Sequence, residues 1–393
     1  MGSLDNGSAR INNQKANGLA SILAIGTALP PICIKQDDYP DYYFRVTKSD
    51  HKTQLKEKFR RICEKSGVTK RYTVLTEDMI KENENIITYK APSLDARQAI
   101  LHKETPKLAI EAALKTIQEW GQPVSKITHL FFCSSSGGCY LPSSDFQIAK
   151  ALGLEPTVQR SMVFPHGCYV ASSGLRLAKD IAENNKDARV LVVCCELMVS
   201  SFHAPSEDAI GMLIGHAIFG DGAACAIVGA DPEPTERPIF ELVKGGQVIV
   251  PDTEDCLGGW VMEMGWIYDL NKRLLQALAD NILGALDDTL RLTGKRDDLN
   301  GLFYVLHPGG RAIIDLLEEK LELTKDKLES SRRVLSNYGN MWGPALVFTL
   351  DEMRRKSKED NATTTGGGSE LGLMMAFGPG LTTEIMVLRS VPL

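Results

Sequence analysis

No apolar run in the 393-residue chain approaches the ~18 residues needed to span a bilayer, which excludes a membrane span. Nine cysteines contain no CxxC pair, and no ligand spacing suggests a metal. Their odd number, and their placement in apolar runs such as VLVVCCELM, fit reduced thiols in a cytoplasmic protein. Positive charge is not in excess: 44 Lys and Arg against 50 Asp and Glu leave a net charge of −6, which argues against a nucleic acid as partner. Residues 1–18, MGSLDNGSARINNQKANG, lack the apolar stretch of a signal peptide, and Asn6 stands where myristoylation wants Ser or Thr. They read as a flexible polar leader. What remains, 43% apolar and 24% charged, is ordinary globular composition with room for two lobes.

Strand-like and helix-like stretches alternate, the pattern of an α/β fold. ASILAIGTAL, ITHLFFCSSS, ARVLVVCCEL, ACAIVGA, GLFYVLHP and EIMVLRSV read as buried strands. HKTQLKEKFRRICEKSG, PKLAIEAALKTIQEWG, GLRLAKDIAENN, RLLQALADNILGALDDTLRL and RAIIDLLEEKLEL carry helical periodicity. The Pro-rich joint GADPEPTERPIF divides the chain into an N-terminal half, 19–235, and a C-terminal half, 236–393.

The halves resemble each other. LFFCSSSGG matches LFYVLHPGG, which sets Ser135 opposite His307. Cys168 of HGCYVASSG then lies as far beyond Ser135 as Asn340 of YGNMWGPAL lies beyond His307. A duplicated α/β half brings such turns together near a pseudo-two-fold axis, so Cys168, His307 and Asn340 are expected to converge. A Gly-Cys turn leading into a helix offers the thiol unpaired N–H groups and the positive end of the dipole, and a neighbouring imidazole favours thiolate further. A merely buried cysteine is the competing reading, and the matched turns weigh against it. A papain-like Cys-His-Asn protease fits the spacing, but the nucleophile sits mid-chain and no CGSCW pattern surrounds it.

The GC turn, LRLAKDIAENN, IFGDGAA, HPGG, SNYGNM and AFGPGL, in this order from about residue 19 onward, resemble the plant type III polyketide synthases, the chalcone and stilbene synthase superfamily. The resemblance implies a thiolase-like αβαβα layered fold with two pseudo-equivalent halves and a homodimer. It implies a Cys168, His307, Asn340 triad and no permanently bound cofactor. Coenzyme A thioesters, malonyl-CoA and an acyl-CoA starter, are the substrates it implies, with loose association with other pathway enzymes a further possibility. Phe219 takes the first gatekeeper position and Tyr268 stands where a second gatekeeping Phe is usual. Ser135, Ser136, Met198, Ser201, Gly259, Trp342 and Phe377 fall at cavity positions. Lys58, Arg61 and Lys65 recur along one helical face and match the family's CoA-phosphate contacts, while Gly309 and Gly310 admit the pantetheine arm. The GPG of residues 378–380 reads as a tight turn in the cavity wall.

Departures from the family pattern bear on product. His166-Gly167-Cys168-Tyr169 replaces a Gln-Gly-Cys-Phe turn, SSSGGCYLP is one residue longer than usual, Met198 and Ser201 replace two threonines, and Trp342 replaces a small serine. A short or atypically joined product, of diketide, triketide or diarylpentanoid type, is the resulting expectation. A chalcone- or stilbene-type tetraketide and a short ketide from malonyl-CoA alone are the alternatives. A carrier-protein-dependent ketosynthase and a non-catalytic partner are remote ones.

Overall fold

The computed structural model describes residues 14–138 and 140–393, so most of the polar leader expected over 1–18 lies outside the described residues. The strands in chain order are β1 Ala20–Ala28, β2 Ile32–Lys35, β3 Lys70–Thr73, β4 His129–Cys133, β5 Gln159–Val163, β6 Arg189–Glu196, β7 Gly222–Ala230, β8 Phe240–Ile249, β9 Leu257–Met262, β10 Gly265–Leu270, β11 Phe303–Leu306, β12 Leu371–Gly378 and β13 Thr382–Ser390. Nine of them form one sheet in the order β11-β12-β13-β8-β1-β7-β6-β4-β5.

Outward from the centre, β1 runs antiparallel to β7, β7 antiparallel to β6, and β6 parallel to β4. On the other side β8 runs antiparallel to β13, β13 antiparallel to β12, and β12 parallel to β11. The sides meet in two residue pairs, Ser21 with Glu241 and Ile22 with Phe240. The same ladder is thus drawn twice about a pseudo-two-fold at the seam, with β5 added at one edge.

Strand alternation sends neighbouring residues to opposite faces and builds the layers. In β6, Val190, Val192 and Cys194 enter a central core with the helices Val170–Asn184 and Gly343–Glu359, while Leu191, Val193 and Cys195 face an outer core under the helix Leu94–Trp120. In the other half Val305, Met374 and Met386 join the central core, and Tyr304, Met375 and Ile385 face the helix Leu274–Thr293. The result is a thiolase-like αβαβα stack. The helix expected from Pro106 begins twelve residues earlier, at Leu94: Pro106 lies inside it, and burial of Leu101, Leu108 and Ala109 outweighs the one backbone bond that proline removes. No helix among the described residues is long and apolar enough to cross a membrane.

Packing of the two central helices explains the small residues around both turns. A Cβ added at Gly343 would lie 2.4 Å from Val170 Cγ1. Gly343 opens one helix and Val170 the other, so only a glycine lets the two helix starts touch, and the turns just before them are drawn together.

Candidate active site

Cys168 lies in the 3₁₀ turn Gly167–Tyr169 that feeds the first central helix. Ser135 secures this turn by accepting a hydrogen bond from Gly167 N at 2.7 Å. Asn340 lies in the equivalent turn, where its backbone is locked to the Phe219 segment. Its N–H donates to Ile218 O at 2.7 Å, and its carbonyl accepts from Gly220 N at 3.1 Å. Its side-chain Oδ1 is taken by Trp342 N at 2.8 Å, which leaves Nδ2 to face Gly309 O at 3.1 Å and Cys168 Sγ at 3.9 Å. His307 directly follows β11, its backbone N–H donating to Met375 O at 2.8 Å, and among the described residues neither ring nitrogen has a hydrogen-bond partner. Cys168, His307 and Asn340 line one cavity of about 190 Å³.

Burial governs the electrostatics. It holds the His307 imidazole down at about 3, so the ring is neutral with one nitrogen free to accept. Cys168 is half-buried, and desolvation pushes its thiol up to about 12; the Asn340 amide pulls it down and the Glu196 carboxyl raises it further. The expected thiolate is therefore not favoured by this burial, because loss of water outweighs the dipole of a helix whose first turn is 3₁₀. Ionising Cys168 requires a proton acceptor; His307 shares the cavity with open ring nitrogens, but the burial that holds it at about 3 makes it a weak base in this state.

Phe219, Tyr268, Gly259, Trp342, Phe377, Ser135 and Gly309 line the cavity, and Gly378 and Pro379 of the expected tight turn close one wall. The Phe219 ring meets the Tyr268 ring at 5.3 Å and the Trp342 ring at 5.6 Å, the latter edge-on. Trp342 is 7% exposed, faces the cavity and has an unpaired indole N–H; its backbone holds φ at 54°. Other expected residues fall elsewhere. Ser136 turns away and its Oγ accepts from Leu197 N at 2.9 Å, since the chain bends after β4 and sends the two serines to different neighbours. Met198 and Ser201 line a separate pocket of about 30 Å³ that shares Phe219 as its wall. Gly310 is outside the cavity lining; it precedes the helix Arg311–Lys320.

Lys58, Arg61 and Lys65 are exposed on the helix Thr53–Lys65, outside the cavity. Arg61 pairs with Glu57 at 3.3 Å, and no ion pair reaches Lys58 or Lys65 among the described residues. Gly67, just beyond this helix, packs on Arg311 immediately after the Gly309-Gly310 turn, so the basic face is tied to the segment bordering the cavity.

Glu196 escaped the sequence reading. It is buried at the end of β6, accepts from Ser135 N at 2.7 Å and Ser136 N at 2.8 Å, and desolvation raises its carboxyl to about 7. A carboxylate closing an apolar strand was the available signal.

Residues 8–232 match the family model described as "Chalcone and stilbene synthases, N-terminal domain", and residues 241–392 match "Chalcone and stilbene synthases, C-terminal domain".

Proposed function

The chain belongs to the chalcone and stilbene synthases, a family of type III polyketide synthases, and from that premise we propose that it joins malonyl-CoA to an acyl-CoA starter by decarboxylative Claisen condensation. In this reading Cys168, His307 and Asn340 are the catalytic residues. The observation that carries it is the Asn340 amide 3.9 Å from Cys168 Sγ, in a cavity that also holds an unpaired neutral His307.

Cys168 gives its proton to His307, its sulfur attacks the starter thioester carbonyl, and CoA leaves as the protonated thiol. Malonyl-CoA then enters with its thioester oxygen toward the Asn340 Nδ2–H and the His307 N–H. Loss of carbon dioxide leaves an electron pair on the α-carbon, and these two donors stabilise the resulting enolate oxygen in a site poor in water. The α-carbon attacks the acyl group on Cys168, forming a carbon–carbon bond and returning the thiolate. In this proposal Arg61, with Lys58 and Lys65, meets the CoA phosphates.

We propose a short or atypically joined product, a reading the wall supports. Trp342, Tyr268 and Phe219 crowd a space of about 190 Å³, below the usual span of roughly 300–1,000 Å³ for ligand pockets. The protein also acts as a homodimer in the cytoplasm in this proposal. Incubation with malonyl-CoA and a panel of aromatic and aliphatic acyl-CoA starters, with products read by mass spectrometry, tests it: ketides one or two malonyl units longer than the starter are expected. Cys168→Ala should lose condensation while some carbon dioxide release from malonyl-CoA survives; condensation at the unmutated rate would remove Cys168 as the nucleophile.

A further inference from the structure

The cavity wall that carries Tyr268 does not belong to the large sheet. Strands β9 and β10 form a two-stranded hairpin, paired only with each other, that contributes Leu257, Gly258, Gly259, Trp266, Tyr268 and Leu270 to the lining. Its tip end, Trp260, Val261 and Met262, is exposed on both faces. Its position therefore depends on what holds it from beneath.

Beneath it lies Arg97, 0% exposed, near the start of the helix Leu94–Trp120. Its guanidinium donates to Ser93 Oγ at 3.0 Å, Val199 O at 2.5 Å, Ile86 O at 3.0 Å and His203 Nδ1 at 3.1 Å. All four acceptors are neutral, and no carboxylate pairs with this cation among the described residues. A fully buried cation without a counter-charge is costly, so its retention points to work done by its position.

The work is visible in its neighbours. Arg97 is donor-only, so His203 Nδ1 must accept, and the proton of the neutral ring sits on Nε2, which donates to Trp266 O at 3.1 Å. Burial, with the Arg97 charge, holds His203 down at about 3, consistent with that single tautomer. Trp266 is two residues before Tyr268 on the same strand. At the hairpin tip, Ser93 N and Leu94 N donate to Glu263 O at 2.7 and 2.8 Å, and Ser93 Oγ donates to Met264 O at 3.3 Å. Gly265, with φ at 99°, lets the Arg97 side chain pass: a Cβ there would lie 2.6 Å from Arg97 Nε and 2.5 Å from Ser200 O. The remaining tie beside Tyr268 is soft, its N–H to Met212 Sδ at 3.4 Å.

We propose that Arg97 and His203 are positioning residues that hold the β9–β10 hairpin against the cavity, fix the height of the Tyr268 ring above Cys168 and so set how long an acyl chain the site accommodates. The proposal rests on the cavity being the condensation site, and its test separates the two.

Three full-length variants are compared with the unaltered protein by amide hydrogen exchange over residues 257–270, by the ratio of product chain lengths, and by carbon dioxide release from malonyl-CoA without starter. His203→Gln can still accept from Arg97 and donate to Trp266, and should match the unaltered protein in all three. His203→Asn is too short to bridge both partners. It should exchange the hairpin amides on the order of ten-fold faster and shift the product ratio on the order of five-fold, the scale of one lost hydrogen bond, with starter-free decarboxylation unchanged. His203→Leu should behave as His203→Asn; if it does not fold, His203→Asn carries the test. Unchanged exchange and product ratio in His203→Asn overturns the proposal, as does a His203→Gln shift as large as that of His203→Asn, which would assign the effect to packing volume. Absence of decarboxylation in the unaltered protein would refute the condensation reading instead, while hairpin exchange still decides the strut.

Discussion

Trp342→Ser should lengthen the product, and its size follows from the cavity. The indole is buried against Phe219, edge-on at 5.6 Å, and borders a space of about 190 Å³. Replacing it with a hydroxymethyl group frees on the order of 140 Å³ if the wall does not collapse. A two-carbon ketide unit displaces on the order of 40 Å³, somewhat more than a water's share of ~30 Å³, so about three further units fit by volume. The cost in stability is about 2–4 kcal/mol, below that of a fully enclosed core tryptophan because one face borders the cavity. Part of it is the lost ring–ring contact, ~1 kcal/mol. Backbone φ at 54° is unchanged by serine and relaxed by glycine, so Trp342→Gly should make the same products with a higher melting temperature than Trp342→Ser. Mass spectra of products from malonyl-CoA with each starter, alongside thermal melts, provide the assay. An unchanged mass distribution in a folded, active Trp342→Ser protein would refute the reasoning.

Arg61→Ala should raise the KM for CoA thioesters on the order of five- to ten-fold while sparing N-acetylcysteamine thioesters, which lack the phosphates; equal damage to both substrates counts against phosphate contact. Its folding stability should stay within about 0.5 kcal/mol, because Arg61 is exposed and its pair with Glu57 is a surface one. Tyr268→Phe removes a buried hydroxyl with no well-formed hydrogen bond among the described residues; its neighbour Ser201 donates to Met198 O at 3.5 Å, so urea denaturation should show a gain of about 1 kcal/mol, and a loss of similar size would reveal a Ser201 bond to that hydroxyl. Glu196 is raised from 4.5 to about 7, so its protonated form supplies stability that is complete below pH 4.5 and lost as pH rises through 7. Glu196→Gln should therefore gain on the unaltered protein by up to about 3 kcal/mol between pH 5 and pH 8, and a difference independent of pH would show the carboxylate to be charged throughout.

Two matched turns made the meeting of Cys168, His307 and Asn340 in one cavity legible, because a duplicated half leaves the same strand–turn pattern twice, and the β4 and β11 ends carry Ser135 and His307 at its equivalent positions. Burial faces were legible for the same reason in β6, where every residue between Arg189 and Glu196 is apolar. Strands β8 and β12 were missed: β8 carries Gly245 and Gly246 at its middle, and β12 is rich in methionine, so neither shows β-branched alternation. Direction was the harder loss. A matched motif assigns Ser135 and Ser136 to one site, yet Ser135 Oγ accepts from the Gly167 turn while Ser136 Oγ accepts from Leu197, a difference set by one peptide's rotation. Arg97 and His203 left no pattern at all, because their partners are backbone carbonyls and each other, and a carbonyl has no letter in the sequence. Trp342 shows how such unseen bonds shape the cavity. Its backbone N–H is spent on Asn340 Oδ1 and the Asn340 backbone is paired to the Phe219 segment, so the chain leaves the turn at positive φ and the indole enters the cavity. The same hydrogen bond that aims the Asn340 amide at Cys168 thus aims the side chain that limits the space beside it, so in the proposed reaction the geometry of condensation and the length of its product are coupled.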